Sequence, residues 1–328
     1  MGYQIININK DTHYEDWVNY RSSGIGASEV GTIMGLNPWK SSVELFYQKI
    51  GQLPSKIDEN VAMFMGTRLE PVVANLWEHY DDDEAQFIKN YNEGNKTRLG
   101  GEVVGYIKSE KYPHLFLSPD RLILSKKGRL VFREKLSMKN VTGVLEIKTI
   151  SGFASKQWEG GIPPSYVCQI TTYMLGLGLK YGEIAFLEDG RKLTVIPVQY
   201  SESLGNQIIE KTTEFWDRVL AARADMENAH LYEPEPDGTK AYSDFLNKKY
   251  AQSEANTIQG GDDLKQKAIA HKMITEEIKE KEDEARELSN YLKNEMKDFD
   301  TISFGETGKV TWKTDSRGYR TFKNGIKI

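Results

Sequence analysis

Apolar positions recur at helical spacing in several stretches of the chain. Over residues 42–50 they fall at Val43, Phe46, Tyr47 and Ile50, and Gly51 closes the run. Over residues 68–80, Leu69, Val72, Val73, Leu76 and Tyr80 share one helical face. Residues 28–34 read as a short helix, with Ser28 as its cap and Gly35 as its stop. Further helices are predicted over 164–177 and 202–226. Between them, strand patterns occupy 101–108, 115–118, 121–125, 129–133, 144–149, 181–187 and 193–200. Helices interleaved with strands in this way predict an α/β fold, a central mixed β-sheet flanked by helices.

The pattern changes after residue 235. Glu235-Pro236-Asp237-Gly238 opens a stretch containing Pro, Gly and Ser, so residues 236–261 read as a linker between an α/β domain at 1–235 and an appendage at 262–328. Residues 262–299 contain no Pro or Gly and predict one long helix, with Ala285, Leu288, Leu292 and Phe299 in a seven-residue rhythm. Residues 308–322 read as a β-hairpin in which Val310 and Trp312 alternate with polar residues and 315–318 form the turn.

Composition narrows the function classes. Among 328 residues, 43 Lys and Arg stand against 48 Asp and Glu, a net charge of −5, which disfavours a protein that coats nucleic acid by bulk charge. The basic residues are unevenly placed, with six in the segment 126–139 and six in 301–328. No apolar run approaches the roughly 20 residues of a membrane span, and the N-terminus has neither a basic nor an apolar signal segment. A single cysteine, Cys168, excludes an intramolecular disulfide and a four-cysteine cluster, and makes the cytoplasm the expected compartment. The five histidines show no zinc-ligand spacing, so any metal would be a hard cation on carboxylates.

Two motifs supply such carboxylates. Pro119-Asp120 ends one strand candidate, and 26 residues after Asp120 comes Glu146-Ile147-Lys148 inside another. Residues two apart in a strand point to one face, so Glu146 and Lys148 share a surface on which Asp120 can converge. Two carboxylates with a lysine form a toolkit for metal-assisted phosphodiester hydrolysis. Glu-x-Lys alone is cheap, as Glu277-Ile278-Lys279 in the charged helix shows, and a salt-bridged surface strand is its ordinary meaning. Here Leu145 and Ile147 flank Glu146, and a carboxylate embedded in an apolar strand is costly without a function.

Four blocks in order carry a family resemblance: Arg21-Ser22-Ser23-Gly24-Ile25-Gly26-Ala27-Ser28-Glu29 running on to Pro38-Trp39; Gly66-Thr67-Arg68-Leu69-Glu70-Pro71; Leu117-Ser118-Pro119-Asp120; and Leu145-Glu146-Ile147-Lys148 followed by Gln169-Ile170-Thr171-Thr172-Tyr173. The chain resembles the YqaJ-type viral recombinases, relatives of the phage lambda exonuclease in the PD-(D/E)xK nuclease superfamily. The resemblance implies a restriction-endonuclease-like core and a nuclease domain over 1–235. It implies metal ligation by Asp120, Glu146 and the carbonyl of Ile147, water activation by Lys148, and an additional carboxylate, Glu70. Arg21, Ser28 and Ser118 match a pocket for a 5′-terminal phosphate, and Ser28 fits a plain helix cap equally. Gln169 and Tyr173, four apart on a helix, match a pattern that faces DNA in related nucleases; a core-facing Tyr173 is the competing reading. Arg121 departs from the family's small residue, and stands either against the scissile phosphate or in solvent.

The function so implied is an Mg2+- or Mn2+-dependent 5′→3′ exonuclease on linear double-stranded DNA, with two ions, leaving 3′ single-stranded overhangs for annealing recombination. A RecT-like annealing protein is the implied partner, a ring-shaped trimer the implied assembly, and a phage or prophage in a bacterial host the implied source. The alternatives are a related repair nuclease acting as an endonuclease or on single-stranded or structured DNA, and a DNA-binding module on a relic nuclease fold.

Overall fold

A computed structural model describes residues 3–8, 14–54, 60–103, 105–125, 137–152, 158, 160–253 and 255–327. The strand expected at 129–133 and most of the basic segment 126–139 lie outside the described residues. The chain divides into two compact units, Met1–Gln252 and Ser253–Ile328. No described helix is long and apolar enough to cross a membrane.

The first unit begins with β1 (Tyr3–Ile6), α1 (Tyr14–Ser22), β2 (Ile25–Gly26), α2 (Ala27–Ile33), α3 (Ser42–Lys49), α4 (Val61–His79) and α5 (Glu84–Glu93). Strands β3 (Gly100–Glu102), β4 (Tyr106–Ser109), β5 (Leu115–Leu117), β6 (Arg121–Leu124) and β7 (Val141–Ile150) follow. The unit closes with α6 (Pro164–Leu177), β8 (Tyr181–Glu188), β9 (Lys192–Gln199), α7 (Glu202–Ala224) and α8 (Lys240–Lys249). One sheet has the order β3-β6-β7-β8-β9, with β7 and β8 parallel and the other pairs antiparallel. A second, smaller sheet has the order β1-β4-β5-β2. The expected strand 101–108 is thus two strands in different sheets. They are separated near Gly105, whose φ of 84° favours glycine, and a Cβ there would meet the Ile6 carbonyl oxygen at 2.1 Å.

Alternation along β7 sorts its side chains onto two faces. Leu145 and Ile147 join Val73, Ala74 and Trp77 of α4 in one core cluster. Val144 joins Cys168, Ile170 and Met174 of α6 in the other. Glu146 and Lys148 fall on the α6 face by the same period of two. Helix α6 also connects parallel β7 to β8, the crossover that parallel pairing requires. The sheet is therefore filled on both faces, and Glu146 lies in the buried middle of its central strand, between Leu145 and Ile147.

Helix α8 lies within the stretch expected to be a linker, and the first unit extends past it. Ala241 and Phe245 are buried, the rings of Phe245 and Tyr47 lie 5.9 Å apart, and Lys249 Nζ donates to the Tyr47 hydroxyl at 2.7 Å. Ala241, Tyr242, Phe245 and Leu246 fall at helical spacing, but the run is short and follows directly on Pro236 and Gly238, which mark a linker.

The second unit holds α9 (Asp262–Met296) and the antiparallel sheet β10 (Thr301–Ser303), β11 (Gly308–Thr314) and β12 (Arg320–Ile326). Arg320 staples it: the guanidinium lies 3.7 Å from the Trp312 ring centroid and donates to the carbonyls of Lys297, Phe299 and Trp312. Trp312, a candidate for stacking on a nucleic-acid base, is thus packed within its own unit, and Arg317 pairs with Asp315 at 2.9 Å.

A chain ending at Gln252 is expected to fold and melt cooperatively. One ending at Asp237 loses the Phe245 packing, and should be less stable by at least the roughly 3–5 kcal/mol of a buried phenylalanine. Urea midpoints of the two chains check this; equal midpoints would place α8 outside the folded unit.

Candidate active site

Asp120 follows Pro119 at the entrance to β6, and antiparallel pairing of Arg121 with Leu145 brings it beside β7. Its Oδ2 accepts the Ile147 backbone N–H at 2.6 Å. This contact fixes Asp120 to the strand that carries Glu146 and Lys148, as the motif spacing predicts. Glu146 is buried, with 2% of its surface exposed. Its Oε1 accepts from Lys148 Nζ and, at 2.7 Å, from Gln169 Nε2. Its Oε2 is buried and, among the described residues, has no hydrogen-bond partner. A buried carboxylate oxygen left without a donor is costly unless a cation meets it.

Burial pushes the Asp120 carboxyl well above the usual carboxylate range, the neighbouring Glu146 charge pushes it further, and Lys148 offsets only part of this. For Lys148, burial acts to lower the ammonium pKa, but Glu146 and Asp120 outweigh it and the net shift is upward. Lys148 therefore holds its proton. Its Nζ also lies 5.0 Å from the Tyr166 ring centroid, an attraction that favours the cation. Lys148 is built here as a donor to Glu146 and to any anion beside it.

Gln169 and Tyr173 are both buried on α6. Gln169 Nε2 also donates to the Tyr173 hydroxyl at 3.0 Å, and Tyr173 in turn donates to the Ser118 carbonyl at 3.0 Å. The pair faces Glu146 and the backbone leading into Asp120 rather than open solvent, so of the two readings the buried one describes Tyr173. The i, i+4 spacing is the signal that the two act together; the carboxylate that Gln169 meets lies on the preceding strand, β7, and no local pattern names it.

Glu70 sits in α4 one residue before Pro71. Burial raises its carboxyl pKa, Arg121 works against this, and Glu146 adds to it. Arg121 Nη1 donates to Glu70 Oε1 at 3.1 Å and to the Asp120 carbonyl at 2.5 Å. Arg121 thus points at Glu70 rather than into solvent. No three His, Cys, Asp or Glu side chains among the described residues are grouped closely enough to hold a metal, so Glu70 does not form a ready triad with Asp120 and Glu146.

The residues matched to a phosphate pocket are arranged differently from one another. Arg21 ends α1 and pairs with Glu29 at 3.1 Å, its guanidinium 5.2 Å from the Trp17 ring centroid. Glu29 also pairs with Lys49 at 2.7 Å and accepts the Gly26 N–H at 2.9 Å. Burial works to raise the Glu29 carboxyl, yet Lys49, Arg21 and Lys40 hold it at about 2. Arg21, Lys40 and Lys49 crowd this single carboxylate, and the small cavity between them is also lined by Ser22, Leu45 and Gln48. Lys40 follows Trp39 at the close of the first sequence block and Lys49 ends α3; neither carries a local mark of the carboxylate they share. Ser28 is exposed in the first turn of α2, whose cap is Gly26, so Ser28 is not the cap. Glu29, at the third helical position, accepts the N–H of the cap residue Gly26, the reciprocal contact of a capping box. Ser118 is exposed and its hydroxyl donates to the Gly105 carbonyl at 3.0 Å.

Residues 16–178 match the family described as the YqaJ-like viral recombinase domain. The uncharacterized protein YqaJ of Bacillus subtilis (strain 168) is 29% identical over 315 residues, 94% of this chain and 86% of that protein. Among solved structures, the alkaline exonuclease LHK-Exo from Laribacter hongkongensis aligns with a TM-score of 0.48 and 20% identity, over 66% of this chain and 98% of that one. A phage-related exonuclease from Haemophilus somnus 129PT aligns with a TM-score of 0.39 and 12% identity, over 62% of this chain and 98% of that one.

The electrostatics predict a pH effect. A carboxyl whose folded pKa is raised contributes stability below its unfolded value, 3.8 for Asp120, and loses that contribution as pH rises through the folded value. Without divalent ions, the melting temperature should therefore fall as pH rises from about 4 toward neutrality and above. Asp120→Asn keeps an acceptor for the Ile147 N–H and removes the charge. It should melt higher than wild type at neutral pH, by roughly 2–4 °C per kcal/mol of relieved repulsion. A lower melting temperature for the variant in ion-free buffer would contradict this reading.

Proposed function

We propose, for a chain that belongs to the YqaJ-like viral recombinase family through residues 16–178, a metal-dependent 5′→3′ exonuclease acting on linear double-stranded DNA. The observation that carries the reading is the buried, unpartnered Oε2 of Glu146 beside Asp120. Hard oxygen donors in a crowded anionic pair fit Mg2+ or Mn2+. Asp120, Glu146 and the carbonyl of Ile147 would hold the ion, which supplies Lewis-acid stabilisation of charge developing on a phosphodiester.

The chain's own groups divide the remaining work. Lys148 keeps its proton on Nζ and, beside Glu146, would donate a hydrogen bond to the phosphate oxygens of a bound substrate. Gln169 fixes Glu146 Oε1, and Tyr173 ties Gln169 to the backbone before Asp120, so both carboxylates keep their places without solvent. Arg21, with Lys40 and Lys49 around one carboxylate, leaves surplus positive charge that suits a terminal phosphate. Polarity, 3′ overhangs, a RecT-like partner and a trimeric ring follow from the family resemblance. The same experiments separate them from a repair endonuclease or a catalytically silent binding module.

Glu146→Ala and Asp120→Ala should abolish Mg2+-dependent digestion of linear duplex DNA while DNA binding persists. Lys148→Ala should slow turnover by roughly 10²–10³-fold, as for removal of one charge-stabilising donor. Near wild-type digestion by Glu146→Ala would sink the assignment. Parallel substrates with 5′-phosphate, 5′-hydroxyl and no ends test polarity: Arg21→Ala should slow digestion from 5′-phosphate far more than from 5′-hydroxyl. Equal losses would make Arg21 a structural partner of Glu29, and cleavage of closed circles would favour an endonuclease.

A further inference from the structure

Arg121 is the one basic side chain described in direct contact with both sides of the candidate site. Its Nη1 reaches Glu70 on α4 at 3.1 Å and the Asp120 carbonyl at 2.5 Å. Only 13% of its side chain is exposed, so the pair with Glu70 is partly desolvated and geometrically defined. Glu70 is engaged by this cation and does not group with Asp120 and Glu146.

The formal charges make the same point. With all three carboxylates ionised, as a bound cation would hold them, Glu70, Asp120 and Glu146 face the cations Arg121 and Lys148, which leaves one net negative charge at the site. One divalent ion with one phosphodiester brings that balance to neutral. A second divalent ion would leave two positive charges uncompensated beside a guanidinium, and would have to displace Arg121 from Glu70.

We propose that Arg121 is a built-in substitute for a second metal ion: it holds Glu70 out of the coordination sphere and limits the site to one divalent ion per chain, seated on Asp120 and Glu146. The proposal rests on the metal-site reading above. It makes Arg121 a positioning residue, acting through Glu70, and it changes the role of Glu70 from ligand to anchor. It also gives a reason for an arginine directly after the catalytic aspartate, where its bulk is otherwise unhelpful.

Titration of the ion-free, full-length protein with Mn2+ in a calorimeter tests this without any turnover. Wild type should bind one ion per chain, and Glu146→Gln should abolish that binding. Arg121→Gly should bind two, because Glu70 is freed, and Arg121→Gly with Glu70→Gln should return to one. Glu70→Gln alone should keep one ion, with affinity changed by no more than the roughly 10–100-fold expected of an outer partner. This single variant leaves the sheet untouched should Arg121→Gly fail to fold. Two ions in wild type, one of them lost in Glu70→Gln, would overturn the role of Arg121 while leaving the metal site standing. An ion that survives Glu146→Gln would contradict the metal-site reading itself.

Discussion

Two carboxylates, Asp120 and Glu146, are held side by side in a largely desolvated place, and much of the first unit can be understood from that constraint. Like charges in low dielectric repel strongly, so each must be fixed from outside the pair. Asp120 is fixed by the Ile147 N–H, Glu146 by Lys148 and Gln169, and Gln169 by Tyr173. The donors come from β7 and α6, the strand and crossover helix at the middle of the sheet. What those donors do not satisfy is Glu146 Oε2. The repulsion and the unsatisfied oxygen point to the same remedy, a cation.

The sheet around them is built for rigidity. Strand β7 is filled on both faces by α4 and α6, so the backbone that positions Glu146 and Lys148 has little room to move. Among the described residues, every other buried side-chain nitrogen or oxygen has a hydrogen-bond partner. Glu183, across from Leu145 on β8, accepts from Trp77, Arg98 and Tyr181. A buried acid that serves structure is saturated with donors; Glu146 is not.

Much of this was legible in the sequence, for identifiable reasons. The period of two placed Glu146 and Lys148 on one face, and the helix at 164–177 is bounded as its Pro and Gly punctuation indicated. The longer strand β7 and the early start of α4 escaped because apolar character continues past the amphipathic part. Helices α1, α5 and α8 escaped because each is only nine or ten residues long and lies among polar or Pro- and Gly-containing stretches. Long-range polar contacts were the least legible. Serine favours the cap position, which points to Ser28, but the helix starts two residues earlier at a glycine cap, Gly26, whose own N–H is accepted by Glu29. The Arg121–Glu70 pair joins residues 51 positions apart, and nothing in either local segment announces the other.

The central claim is that Glu146 Oε2 waits for a divalent cation shared with Asp120. The most direct measurement is the anomalous difference map of a crystal of the full-length protein grown with Mn2+. The account predicts a peak bonded to Glu146 and Asp120, with the Ile147 carbonyl among its ligands. A map without a peak at Glu146, or with the ion seated on Glu70 away from Asp120, would contradict it.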